Sequence, residues 1–428
     1  MSINLLEKGM ANQLRKTGET KKISVELPGQ ANGQYDVYAI PLSYLYFNDQ
    51  NGRINTVYKQ YKAEIGNELS PNPGDSEYNK IFEDFIYNSN PQALKNTLQS
   101  IKEKTQQEPG VVLPDGRVID GNRRFTALRM YEREDNIPKT FDAVILPVNQ
   151  DTTLNEKLIK ELELDLQLGR EERVNYDPID RIFDVYNTIE VEKLMTVEEY
   201  KKASGAGNTK GIKRDIRLAE LILKFIRIIS PDENDEDAID KFYLARELKL
   251  DGSIEEIEGT LTNLQDSDKT AITEAVLVRL AVAKANDDDE QKEPKLIMRE
   301  LKTNVLKQPD ILEHYLEAVD GAVDVVIDSF EENPIKKSND LKQSVRDNKV
   351  LHDAAEKIKK STDRLVFKGQ KDFKRTKVLS ELEEILDNLK EMKASDFKEL
   401  TVDENFEAKD TLKEMTDVLF KLKKDLNE

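Results

Sequence analysis

Between Asp120 and Arg124 the sequence reads Asp-Gly-Asn-Arg-Arg, and these five residue types in this order are suited to holding an anion. A short apolar strand at Val118-Ile119 leads in, and an amphipathic helix carrying Phe125, Leu128 and Met130 leads out. A helix start leaves its first N–H groups without partners and carries a partial positive charge. Gly121 permits a sharp turn and a close backbone approach. Arg123 and Arg124 add planar, permanently charged donors that match phosphate oxygens. The chemistry this predicts is phosphate binding, with a nucleotide as the ligand class. The alternative is a surface turn with two solvated arginines, since short glycine motifs recur without function.

The elements that must position these residues are read in chain order. Residues 1–30 form a polar lead-in with helical character, followed by a strand at residues 23–27. Residues 35–47, rich in aromatic and β-branched types, predict a strand or strand pair. Asn48 to Arg53 is a loop ending on a basic residue, and residues 66–76 are another loop. Residues 77–104 read as helix with a break at Asn90-Pro91, because proline is accommodated at a helix start. Strands at 111–113 and 141–147 flank the central motif, and Pro114-Asp115-Gly116-Arg117 makes a tight hairpin. Residues 31–150 are therefore expected to form a small mixed sheet domain of α+β class.

Residues 151–230 switch to helices. Asp177-Pro178 is a helix start, with Asp177 as cap. Thr196 caps a short helix, a glycine turn follows at 205–209, and then comes the basic helix 210–229. Helix, turn and basic helix resemble a helix-turn-helix, with Lys210, Lys213, Arg214 and Arg217 as candidate DNA contacts. An ordinary helical hairpin with a solvated basic face is the other reading. Beyond an acidic linker at 232–237, residues 238–330 form a helical domain and residues 338–428 a helical hairpin or bundle. Leu379, Leu382, Leu386 and Leu389 make one heptad-like stripe, and Leu412, Met415, Leu419 and Leu422 another. Such stripes serve a coiled-coil contact between two copies or a bundle within one chain.

The whole chain bounds these readings. Its 428 residues allow two to four domains. With 35 % charged and 38 % hydrophobic residues it is a charge-rich globular sequence. No apolar run has membrane-spanning length, the opening residues hold no secretory apolar region, and cysteine is absent. These features place it in a reducing cytoplasm, off the membrane, without disulfides or thiolate chemistry. With only two histidines, His314 and His352, a multi-histidine metal site is not expected. The formal charge of −19 divides unevenly, roughly −3 before residue 230 and roughly −16 after it. An acidic chain binds DNA poorly as a whole, but residues 201–229 carry a local excess of about six positive charges.

Residues 38–229 resemble the ParB/sulfiredoxin superfamily, ParB more closely. The matching stretches fall in the family's order: YAIPLSYLYFNDQNGRI, ALKNTLQSIKEKTQQEPGVV, GNRRFTAL, LDLQLGREERVNYDPIDR and the helix-turn-helix-like segment. The resemblance implies a nucleoside triphosphate site, for CTP or ATP with Mg2+, and closure of a DNA-bound dimer on nucleotide binding. Carried over, Gly121, Asn122, Arg123 and Arg124 would hold phosphates, joined by Arg53, Gln167 and Arg170. The family glutamate after the glycine is replaced by Asn122 and the later arginine by Thr126, and the glutamate before the family's Asn-x-Gln appears as Leu164, between Glu163 and Asp165, which puts triphosphate hydrolysis in question. The sulfiredoxin cysteine would also fall at Asn122, which excludes that chemistry. Asp120-Gly121-Asn122-Arg123-Arg124 is also similar to the Asp-Gly-x-x-Arg motif of ParB-like defence and DNA-modification proteins, where the aspartate is functional.

Three function classes follow. One is a nucleotide-binding protein that engages DNA, from a partition, plasmid, phage or defence setting. Another is an enzyme of the same fold, a nuclease or phosphotransferase with Asp120 catalytic beside Arg123 and Arg124. The last is a scaffold whose acidic C-terminal half binds a protein partner.

Overall fold

The computed structural model describes residues 4–23, 33–49, 51–52, 54–66, 69, 74, 76–148, 153–168, 177–231, 237–264, 268–286, 292–392, 397 and 400–426. It is of α+β class, with one mixed six-stranded sheet and many helices. The chain divides into two compact units, Met1–Asp363 and Arg364–Glu428.

In the first unit the strands are β1 Arg15–Lys22, β2 Gln34–Pro41, β3 Tyr46–Phe47, β4 Gly110–Val112, β5 Arg117–Asp120 and β6 Thr140–Ile145. Their order across the sheet is β1-β2-β6-β4-β5-β3. β6 and β4 run parallel, as do β5 and β3, while the remaining neighbours are antiparallel. The first helices are α1 Leu5–Met10, α2 Asn55–Ile65, α3 Ser76–Ser89, α4 Pro91–Lys104 and α5 Asn122–Asp135. They cover one face, around Phe47, Phe82, Phe125 and Phe141. The other face is covered by α6 Thr153–Leu168, which inserts Ile159, Leu162 and Leu166 against Val111, Ile119 and Val144. Both faces of the central strands are thus buried, which is why β4 and most of β6 read as apolar runs and β5 carries Val118-Ile119 at its centre.

Strand expectations between residues 35 and 147 agree with β2 to β6 to within a few residues. The N-terminal region differs. A strand was expected at 23–27; the observed strand is β1, at Arg15–Lys22, and most of 23–27 lies outside the described residues. β1 is an edge strand with mostly exposed side chains, so no apolar alternation marks it.

The remaining helices of this unit begin with α7 Pro178–Tyr186, α8 Val197–Ser204 and α9 Lys210–Ile229. They continue with α10 Asp237–Asp240, α11 Tyr243–Glu247, α12 Asp251–Thr262, α13 Lys269–Ala285, α14 Pro294–Leu301, α15 Pro309–Glu332 and α16 Ser338–Asp347. α9 runs through the middle of this group, packed by α7, α12, α13 and α15, with Leu218, Ile222, Phe225, Ile226 and Ile229 buried. The residue 232–237 stretch does not separate the packing: the Ile335 amide donates to the Ile229 carbonyl across it. Helix α17 spans Lys349–Glu391, and Leu351, Ala355 and Ile358 in its first turns are buried in the first unit. The second unit holds the rest of α17 and α18, Val402–Asp425.

Candidate functional site: a basic helix start on a cavity

Gly121 is the residue before α5 and has φ 93°, a backbone conformation L side chains rarely adopt. A Cβ here would also lie 2.8 Å from Phe141 Cζ, so the position has no room for one. No side chain caps this helix start. The first N–H groups of α5 are left for water or a ligand. The direction of α5 is fixed from its other end. Glu83 of α3, buried, accepts from Arg129 Nε at 3.3 Å and from Arg133 NH1 at 2.9 Å.

The helix start opens onto a cavity of about 720 Å³. Asp120, Gly121, Asn122, Arg123 and Arg124 line it at one end. Asn51 and Ile54 come from the loop before α2, and Leu166 comes from α6. α3 and α4 contribute uncharged side chains to the lining: Ile86, Asn96, Thr97, Ser100 and Ile101. A volume of this order accommodates a nucleotide-sized molecule. The lining thus combines Arg123 and Arg124, the acids Asp120 and Glu108, and uncharged polar side chains of α4. Asn122 Oδ1 is buried and accepts no hydrogen bond, an acceptor available to a ligand donor.

Arg124 donates from NH2 to Asp120 Oδ2 at 3.2 Å and from NH1 to the Glu108 carbonyl at 2.6 Å. Lys21 of β1, 6 % exposed, donates to the same Asp120 oxygen at 3.2 Å and to the Pro109 carbonyl. Asp120 is therefore already shared between two cations. Lys21 is a residue of this site that sequence reading missed, because the edge strand carrying it has no apolar pattern. Arg53 and Arg170 lie outside the described residues, as does the side chain of Gln167. The backbone of Gln167 is helical, one residue beyond Leu166 at the cavity.

The loop between β3 and α2 also borders a second cavity, of about 580 Å³, lined by Asn48, Asp49, Asn55, Lys160, Glu163 and Asp184 among others. Arg117 NH1 donates to Asp49 at 3.3 Å, and the Gly52 amide donates to Glu163 Oε1 at 3.2 Å. Burial alone would depress the Lys160 ammonium, but Asp184 at 2.5 Å and Glu163 at 3.4 Å hold it above its ordinary value. Burial pushes the Glu163 carboxyl up, against the pull of Lys160. This cluster anchors the loop.

The helix-turn-helix-like segment is present as α8, a turn with Gly205 at φ 67°, and α9. Its basic residues are not equivalent. Arg217 Nε donates to Glu258 Oε1 at 2.5 Å, and Arg214 lies 3.6 Å from Glu258 and 3.7 Å from Glu255. Both arginines thus face acids of α12. Lys210 and Lys213, on the first turn of α9, are exposed. Among the described residues no helix is long and apolar enough to cross a membrane, and no group of acidic or histidine side chains is arranged to hold a metal ion. The chain matches no protein-family model, no curated protein and no solved structure in these three comparisons.

Proposed function

We propose that the protein is a ParB-like nucleotide-binding protein that engages DNA and works as a dimer. The observation that carries this reading is the cavity at the start of α5. Four stretches that resemble separate ParB segments border it: the loop at Asn51 and Ile54, α4 with the residues that follow it, the Gly121–Arg124 turn, and the end of α6 at Leu166. They are far apart in sequence, and an incidental surface turn would give no reason for them to meet. The phosphates would lie at the α5 N-terminus against Arg123 and Arg124, where the helix dipole and the guanidiniums act together. The nucleoside would extend along the uncharged side chains of α4. DNA would be met by the first turn of α9, through Lys210 and Lys213. The test is calorimetric titration with a panel of nucleoside mono-, di- and triphosphates, with and without magnesium. Binding of a triphosphate well above the corresponding nucleoside supports the reading; equal or no binding across the panel removes it.

A further inference from the structure

We propose that Asp120 is the resting counter-anion of the phosphate site, and that an incoming phosphate competes with its carboxylate for Arg124. This rests on the nucleotide reading above and adds how that site is regulated. Lys21 Nζ and Arg124 NH2 converge on a single oxygen, Asp120 Oδ2, each at 3.2 Å. That oxygen occupies the place a phosphate oxygen would take beside Arg124. Each cation also has a second acceptor that carries no charge: the Pro109 carbonyl for Lys21 and the Glu108 carbonyl for Arg124. Those carbonyls keep both side chains in place if Asp120 loses its charge. The carboxylate is therefore dispensable for geometry, and its remaining effect is electrostatic. It neutralises one of the cations and repels a second anion at the same helix start.

This assignment differs from a catalytic aspartate. Asp120 Oδ2 instead accepts from both an ammonium and a guanidinium, which makes it a charge partner of Lys21 and Arg124. Lys21 is buried on β1 and is not among the residues that line the cavity, so it acts as a positioning residue.

The charges give opposite signs for two substitutions. Asp120→Asn removes the competitor, so affinity for inorganic tripolyphosphate rises, by about tenfold at moderate salt. Lys21→Gln leaves the carboxylate with one partner fewer, so it holds Arg124 more strongly and affinity falls. A purely structural role would weaken binding in both variants. The measurement is titration of tripolyphosphate into the full-length chain and each variant, with thermal melts to check folding. Tighter binding by Asp120→Asn together with weaker binding by Lys21→Gln is the expected result. Weaker or unchanged binding by a folded Asp120→Asn overturns the proposal. So does tighter or unchanged binding by Lys21→Gln, which decides the matter alone if Asp120→Asn does not fold. If neither the parent chain nor either variant binds the probe, the nucleotide reading falls with it.

Discussion

Asp180 sits where α2, α7 and α11 meet, and it shows how single residues tie the cavity to the helical part of the first unit. Thr56, two residues beyond the cavity-lining Ile54, donates its hydroxyl to Asp180 Oδ1. Arg246 NH1 lies 3.5 Å from the other carboxylate oxygen. Burial raises the Asp180 carboxyl to about 7, and Arg246 and Thr56 only partly offset that rise. In the unfolded chain the group would titrate near an ordinary value of about 4. Between about pH 4 and pH 7 the folded chain keeps a proton that the unfolded chain has released. Its contribution to stability therefore declines as pH rises across that window, and is lost above about pH 7. Asp180→Asn removes this dependence. We expect its melting temperature to vary less than the parent's between pH 5 and pH 8, with the gain over the parent appearing at the upper end. Parallel melting curves for the two chains across that range would contradict the assignment.

Among the elements, the central sheet and the motif helix were legible because their signals are local. Apolar runs such as Val111–Leu113 and Phe141–Leu146, a Pro at a helix start and a glycine before the arginines each have a short-range physical cause. β1 was not legible, since an exposed edge strand has no apolar face to repeat, and Lys21 was lost with it. The role of α9 was only half legible. Its positive charges stand out in the sequence, but the acids that neutralise Arg214 and Arg217 come from α12, about forty residues away, and only folding brings them together. This separates two predictions on one helix. Arg217→Ala leaves Glu258, 5 % exposed, with a poorer partner, so it should cost roughly 1–3 kcal/mol of stability. It should barely change the salt dependence of DNA binding. Lys210→Glu with Lys213→Glu should do the reverse, weakening DNA binding and flattening its dependence on salt while leaving the fold stable. Chemical denaturation and binding isotherms at several salt concentrations read both effects. An unaltered salt slope in the lysine variant would make the start of α9 a solvated face.

At the scale of the whole molecule, the charge is gathered on the C-terminal side, where apolar stripes also remain. Leu379, Leu382, Leu386, Leu412, Leu419 and Leu422 are between 42 % and 55 % exposed, so the second unit as one chain does not bury them. Apolar rows at this spacing are covered in a helical assembly, and the proposed dimer supplies a second copy to do so. The full chain is expected to be dimeric at tens of micromolar by light scattering. A chain ending near residue 370 keeps the buried first turns of α17, including Leu351, Ala355 and Ile358, and should be monomeric. A monomeric full chain, with and without nucleotide, would contradict the dimer; two equally dimeric chains would put the contact elsewhere. Truncation near 335 would be a poor test, because it removes α16 and core residues with it.

The central claim is that the helix start at Gly121 binds the phosphates of a nucleotide through Arg123 and Arg124. Calorimetric titration of the tightest-binding triphosphate into the parent chain and into Arg123→Ala tests it most directly. Loss of one charge-assisted hydrogen bond is worth roughly 1.5–3 kcal/mol. Arg123→Ala is therefore expected to lower affinity about ten- to hundred-fold, with the fold intact by thermal melting. An Arg123→Ala chain that is folded and binds the same triphosphate as tightly as the parent would contradict it.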